Sequence, residues 1–219
     1  MMRYRYHGQL GFDKVIHEKY FLDKVDGLFI EAGAFDGVLD SNTLFFYLNK
    51  NWRGINVEPL PNIFDHLNRN RPEDVNLNVA LSDHDGSGIF TQAIDKNFSL
   101  YGGHFGNGSL KHQPEHLQEL RNRGCSLETY KVQMIDLVTL FNLHISAQPD
   151  LFILDIEGHE MTVLTRLKQV SNHLHPKVFG IEKGHSGKEK IIEIMMENDY
   201  SLDYEDSINL LFLKDGCRL

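Results

Sequence analysis

Short runs of largely apolar residues recur along the chain, and each stops at a carboxylate. Leu28, Phe29 and Ile30 precede Glu31; Ile55 to Val57 precede Glu58; Leu151 to Leu154 precede Asp155; Val178 to Ile181 precede Glu182. Runs this apolar, interrupted only by Asn56 in the second and Gly180 in the fourth, suit strands of a parallel sheet buried on both faces. A stretch over 75–81, VNLNVAL, alternates apolar and polar and predicts a further strand between the second and third of these runs. Between the runs, apolar positions return at helical spacing over 13–23, 43–49, 63–70, 132–143, 160–167 and 188–198. Pro59 and Pro61 stop the second strand, Asn62 caps the helix over 63–70, and Pro72 closes it. Two final strands over 200–204 and 208–213 are separated by three residues, short enough for a hairpin. Alternation of strand and helix predicts an α/β fold with right-handed parallel crossovers. Five such strands plus the terminal antiparallel pair give a seven-stranded, mostly parallel sheet.

Over 84–131 the pattern changes. Glycines (Gly86, Gly88, Gly102, Gly103, Gly106, Gly108) alternate with Phe90, Phe98, Tyr101, His104 and Phe105, and only 114–122 has a helical spacing. A long irregular stretch inside a compact domain is usually functional or mobile. The expectation is one domain over 1–219, with 84–131 an insertion that covers the active site and recognises the acceptor. The polar and aromatic segment 4–11 is expected to run over the surface.

Composition narrows the function classes. With 219 residues, 41% hydrophobic, one domain with a sizeable core is expected. The formal charge of −9, without a basic block, disfavours nucleic acid as partner, because phosphate neutralisation needs a basic face. Cys125 and Cys217 follow no metal spacing and read as thiols in a reducing compartment. The sequence has neither a signal pattern nor an apolar run of the ~20 residues that a membrane span needs. These features predict a cytoplasmic location without excluding a domain of a longer chain.

The chemistry is carried by the acids at the strand ends. In open α/β sheets ligands sit beyond the carboxyl ends of the strands. Gly33 and Gly37 allow a tight turn there, but their spacing is not the GxGxxG of a dinucleotide site. Glu31, immediately before them, would repel a pyrophosphate and attract the ammonium and sulfonium groups of S-adenosylmethionine. Glu58 suits ribose hydroxyls under either cofactor. Asp40, Ser41 and Asn42 are placed to cap the helix over 43–49 and to meet the ligand edge.

Several segments in order, HGQxGFDK (7–14), FIEAGAFDG (29–37), DSNT (40–43), WRGINVEP (52–59), NVALSD (78–83) and LDIEGHE (154–160), resemble the FkbM-type S-adenosylmethionine-dependent methyltransferases. The resemblance spans nearly the whole chain outside the insertion. It implies a Rossmann-like class I methyltransferase fold with helices on both faces of the sheet, and most often O-methylation of a sugar or polyketide hydroxyl. By position it puts Glu31, Gly33, Ala34 and Asp36 at the methionine end, with Ser41, Asn42 and Thr43 near its carboxylate. Glu58 takes the ribose, Ser82 and Asp83 border the adenine, and Asp155 completes the cofactor set. His159 departs from the small residue more usual in the family.

An alcohol acceptor needs a base to take its proton during attack. Asp155, His159, Glu182 and His185 are the catalytic candidates at strand ends, with a histidine base suited to neutral pH. Asp155, Glu182 and His185 are also positioned for a divalent cation, magnesium or manganese, that would lower the hydroxyl pKa. The leading expectation is an O-methyltransferase acting on a sugar or glycan hydroxyl. The alternatives are a methyltransferase of a non-sugar metabolite and a non-catalytic domain that keeps the fold for binding. The partner is a small molecule or glycan, and the chain is compatible with being one domain of a larger glycan-modifying protein.

Overall fold

The computed structural model describes residues 4–184, 187–217 and 219. Strands β1 (Leu28–Ala32), β2 (Arg53–Val57), β3 (Val75–Leu77), β8 (Leu151–Leu154), β9 (Val178–Glu182), β10 (Tyr200–Glu205) and β11 (Asn209–Lys214) form a seven-stranded sheet. Its order is β10-β11-β9-β8-β1-β2-β3. The five strands from β9 to β3 are parallel, and β11 and β10 are antiparallel to their neighbours, as the hairpin pattern predicts.

Alternation along each central strand explains why helices cover both faces. Phe29, Leu151 and Ile153 pack with Phe12, Ile16 and Tyr20 of α1 (Phe12–Tyr20) and with Phe45 and Phe46 of α2 (Leu44–Asn49). Ile30, Ala32, Phe152 and Leu154 point the other way. They meet Leu140 and Phe141 of α5 (Leu137–His144), Val163 and Leu164 of α6 (Glu160–Leu164), and Ile191 of α7 (Lys188–Met196). Each fully buried apolar side chain of this kind contributes about 1.5–3 kcal/mol relative to exposure. No disulfide forms among the described residues, and Cys125 is buried. No described helix is long and apolar enough to cross a membrane.

The expected single strand over 75–81 is two strands. β3 ends at Leu77, and β4 (Ala80–Ser82) belongs to a second sheet, in the order β4, β7 (Ser126–Asp136), β5 (Gly86–Ile94) and β6 (His104–Ser109). Between them Asn78 donates from its side chain to the carbonyls of Glu58 (2.9 Å) and Pro59 (3.1 Å), tying the crossing point to the end of β2.

The rest of the second sheet comes from the stretch expected to be irregular: β5 (Gly86–Ile94), β6 (His104–Ser109) and β7 (Ser126–Asp136), with α4 (Pro114–Asn122) between β6 and β7. These strands escape the apolar signal because much of their surface is solvated; β7 carries Glu128, Lys131 and Gln133 as exposed residues. The helix expected over 132–143 begins only at Leu137. Residues 132–136 finish β7, and Asp136 caps the helix by accepting from the Val138 N–H at 3.2 Å.

Candidate active site

β1 and β8 are parallel neighbours in register, Ala32 opposite Leu154, so both release the chain at the same edge. Gly33 leaves β1 with φ +85° and donates its N–H to the Val57 carbonyl at 3.1 Å. A Cβ on Gly33 would lie 1.7 Å from the Asp155 carbonyl oxygen, so this position excludes any side chain. Two clefts open above this turn and share Gly33, Phe35, Gly106 and Asp155. The first, about 510 Å³, is lined by apolar groups including Val57, Leu81, Phe90 and Leu110, with Glu58 and His159 among them. The second, about 930 Å³, is polar and includes Glu31, Asp40, Asn42, Asn107, Arg123 and Glu157.

The second sheet is fastened across these clefts from both sides. Tyr101 donates its hydroxyl to Asp36 Oδ2 at 2.5 Å, gripping the turn after β1. On the other side Ser109 Oγ donates to the Ile156 carbonyl at 3.1 Å, and Asn107 Nδ2 donates to Glu157 Oε1 at 2.7 Å. From this stretch Phe90, Gln92, Gly106, Gly108 and Leu110 line the first cleft, and Phe105, Gly106, Asn107 and Arg123 the second.

Glu31 lines the second cleft but is 3% exposed, and both its oxygens are engaged. Ser41 Oγ (2.9 Å) and Thr43 Oγ1 (2.6 Å) donate to Oε2, and the Asn42 N–H (2.9 Å) donates to Oε1. Behind this knot lies Arg71, wholly buried. It donates to Thr43 Oγ1 (3.0 Å), the Gly37 carbonyl (3.1 Å) and Asp74 (2.9 Å), and stacks on Tyr47. Burial raises the Glu31 carboxyl, and the Arg71 charge opposes that rise. Glu31 thus fixes the 41–43 loop. Ser41 and Asn42 line the second cleft beside Ala34, whereas Thr43 is 0% exposed behind them.

Asp36 has its carboxylate occupied by the Val38 and Leu39 N–H groups and by Tyr101. Glu58 lines the first cleft and accepts from the Leu60 N–H at 2.9 Å; burial pushes it up to about 8. Ser82 is buried and bonds His159 Nε2 at 3.1 Å, while Asp83 is on the surface paired with His84. His159 lines the first cleft with Glu58, and burial lowers it to about 4, so it is neutral at pH 7. A neutral imidazole of such low basicity is a poor proton acceptor and a good hydrogen-bonding group.

Asp155 and Glu182 do come together, hydrogen-bonded through their carboxyls, and Glu157 joins them; one oxygen from each lies within 4.8 Å of the others. Burial and mutual repulsion raise all three, so the group holds protons that isolated acids release. His185, the remaining catalytic and metal candidate, lies outside the described residues.

Glu157 is not singled out in the sequence; the acid that serves the start of α6 is Glu160. Glu160 accepts from the Ile156 (2.8 Å) and Gly158 (3.0 Å) N–H groups. That frees Glu157, in a left-handed bend at φ +57°, to face the second cleft. A non-glycine residue held at positive φ beside a cleft is the signal that marks it, and it is visible only in the backbone. Arg71 and Asn107 are equally silent in sequence.

A model of the methyltransferase FkbM domain matches residues 31–203. No curated protein sequence matches the chain significantly. Among solved structures, the methyltransferase FkbM from Methylobacillus flagellatus KT is 13% identical, covering 86% of this chain and 43% of that one, with a TM-score of 0.49. The chain thus spans less than half the length of that protein. A TehB-like SAM-dependent methyltransferase from Corynebacterium glutamicum is 12% identical over 93% of this chain and 87% of that one, TM-score 0.45. Fibrillarin from Aeropyrum pernix, solved with natively bound S-adenosyl-L-methionine, is 12% identical over 93% and 74%, TM-score 0.44. The family match covers well over half of the chain, which belongs to the FkbM methyltransferase family.

Proposed function

We propose that the chain transfers a methyl group to a hydroxyl of a sugar or glycan. The observation that carries this reading is the carboxyl group cluster of Asp155, Glu157 and Glu182 where the apolar cleft meets the polar one. The residues present fit the cofactor. The side-chain-free turn at Gly33 leaves room for close backbone approach, and Glu58 stands in an apolar slot suited to a nucleoside. A cation beside Asp155 and Glu157 favours their ionised forms, whereas a diphosphate would raise them further.

Bound S-adenosylmethionine supplies an electrophilic methyl on a sulfonium. Glu58 accepts hydrogen bonds from the ribose hydroxyls, and the Ser82–His159 pair borders the base. Glu31 acts through the loop it fixes: Ser41 and Asn42 present their polar atoms toward the methionine end while Arg71 keeps the acid in place. Asp155 favours positive charge at the cleft junction. In its ionised form Glu157 would take the proton of the acceptor hydroxyl, its raised pKa making it a stronger base than an ordinary carboxylate, and Asn107 orients the carboxylate for that role. Positioning supplies the rest. The polar second cleft supports a hydroxyl-rich acceptor.

The same three acids favour one second reading, in which they hold a divalent cation that lowers the hydroxyl pKa. Turnover on a panel of free sugars, activated sugars and glycans tests the proposal, with chelator and with added magnesium or manganese. Methylation of a hydroxyl that survives chelation supports the acid–base reading, and methylation that requires metal supports the second. Transfer only to non-sugar metabolites, or cofactor binding with no turnover, contradicts the carbohydrate assignment.

A further inference from the structure

Arg123 is the cationic side chain that lines the polar cleft among the described residues; the other charged residues lining it, Glu31, Asp40, Asp155 and Glu157, are acids. Its position is set by the local fold. α4 ends at Asn122, Arg123 caps it with its N–H on the Glu119 carbonyl at 3.0 Å, and Gly124 turns the chain at φ +83°. The guanidinium then lies over the Phe105 ring of β6, 5.2 Å from its centroid. A charge laid on an aromatic face is held in one place at little entropic cost.

This arginine has no carboxylate partner among the described residues. Arg53 pairs with Glu73, Arg71 with Asp74 and Arg166 with Asp136. Arg123 is exposed and unpaired in that sense, yet sits at a cleft whose deeper walls are acidic. Among the described residues those walls offer an anion no cationic partner except Arg123. A bound acceptor with a negative group therefore has one favourable orientation, with the anion at the guanidinium and the rest of the ring toward the carboxyls.

Resting on the methyltransferase reading above, we propose that Arg123 selects an acceptor sugar bearing an anionic group, a phosphate or a carboxylate. It orients that sugar with a hydroxyl toward Asp155 and Glu157. Planar guanidinium recognises either anion bidentately, so the shared chemistry is a fork-shaped oxyanion.

Saturation-transfer NMR titrations on the protein saturated with S-adenosylhomocysteine test this. The probes are methyl glucoside, glucuronate and glucose 1-phosphate. The expected result is that one or both anionic sugars bind about tenfold tighter than the neutral one, the size of a charge-assisted hydrogen bond. Arg123→Gln removes the preference and Arg123→Lys keeps part of it. Comparing glucuronate with glucose 1-phosphate decides between carboxylate and phosphate. Equal binding of neutral and anionic sugars, no detectable binding of any, or a preference that survives Arg123→Gln overturns the proposal. The S-adenosylhomocysteine affinity of each protein, measured first, reports folding and the methyltransferase reading separately.

Discussion

Asn107 Nδ2 donates to Glu157 Oε1 at 2.7 Å, joining β6 of the second sheet to the bend that follows β8 of the first. The contact links the cleft wall to the acid proposed to take the acceptor's proton. Glu157→Gln keeps the shape and removes the proton acceptor. It is expected to lower kcat by about 10²–10³, with cofactor affinity within a few fold. Asn107→Ala removes only the orienting bond and is expected to cost about tenfold in kcat. Steady-state kinetics with calorimetry of cofactor binding checks both. Loss of cofactor binding in step with kcat would place Glu157 in the cofactor site instead.

Glu58 gives a pH-dependent prediction. Burial raises its folded-state pKa to about 8, above its ordinary 4.5. Between those values the folded state binds more protons than the unfolded one, so this group's contribution to stability falls as pH rises. Glu58→Gln should therefore stabilise the cofactor-free protein above pH 8, by on the order of a few kcal/mol, and lose that advantage below about pH 4.5. Urea titrations at pH 5, 7 and 9 measure the trend. A Glu58→Gln gain that is independent of pH contradicts it.

Gly33→Ala tests the turn itself. Its Cβ would fall 1.7 Å from the Asp155 carbonyl at φ +85°. Both the clash and the backbone conformation oppose it, so a loss on the order of 3 kcal/mol or more is expected. Gly102→Ala, at φ +66° with no atom within 4 Å of its Cβ, is the control for backbone conformation alone and should cost about 1 kcal/mol. Chemical denaturation midpoints compare the two.

Arg71→Met removes a wholly buried charge and leaves Asp74 and Glu31 without it. The expected loss is about 3–5 kcal/mol. Arg71→Met with Asp74→Asn should recover part of that loss, because the second change removes a buried unpaired carboxylate. A double-mutant cycle read by denaturation measures the coupling.

The strand-end acids were legible because four apolar runs stop at them, and the parallel order follows from helices between those runs. Glu58 and Asp155 consequently stand in the clefts where sequence spacing puts them. Arg71 was not legible, because its partners Thr43 and Gly37 come from a turn 28 and 34 residues earlier in the chain. Glu157 was hidden for a different reason: its direction depends on a left-handed bend held by Glu160. The second sheet was hidden because half-solvated strands carry no continuous apolar signal, and 75–81 alternates smoothly across the point where the chain changes sheets. The helical spacing over 132–143 misled because Val132 and Ile135 fit a strand end and a helix start alike.

Calorimetry of the purified protein with S-adenosylmethionine, S-adenosylhomocysteine and NAD tests the central claim most directly: an acid-lined, glycine-turned cleft receives a cationic nucleoside donor. The account predicts binding of both adenosyl ligands, no detectable heat from NAD, and at least about tenfold weaker adenosyl binding by Glu58→Gln. Binding of NAD in preference to S-adenosylmethionine, or adenosyl affinity untouched by Glu58→Gln, would contradict it.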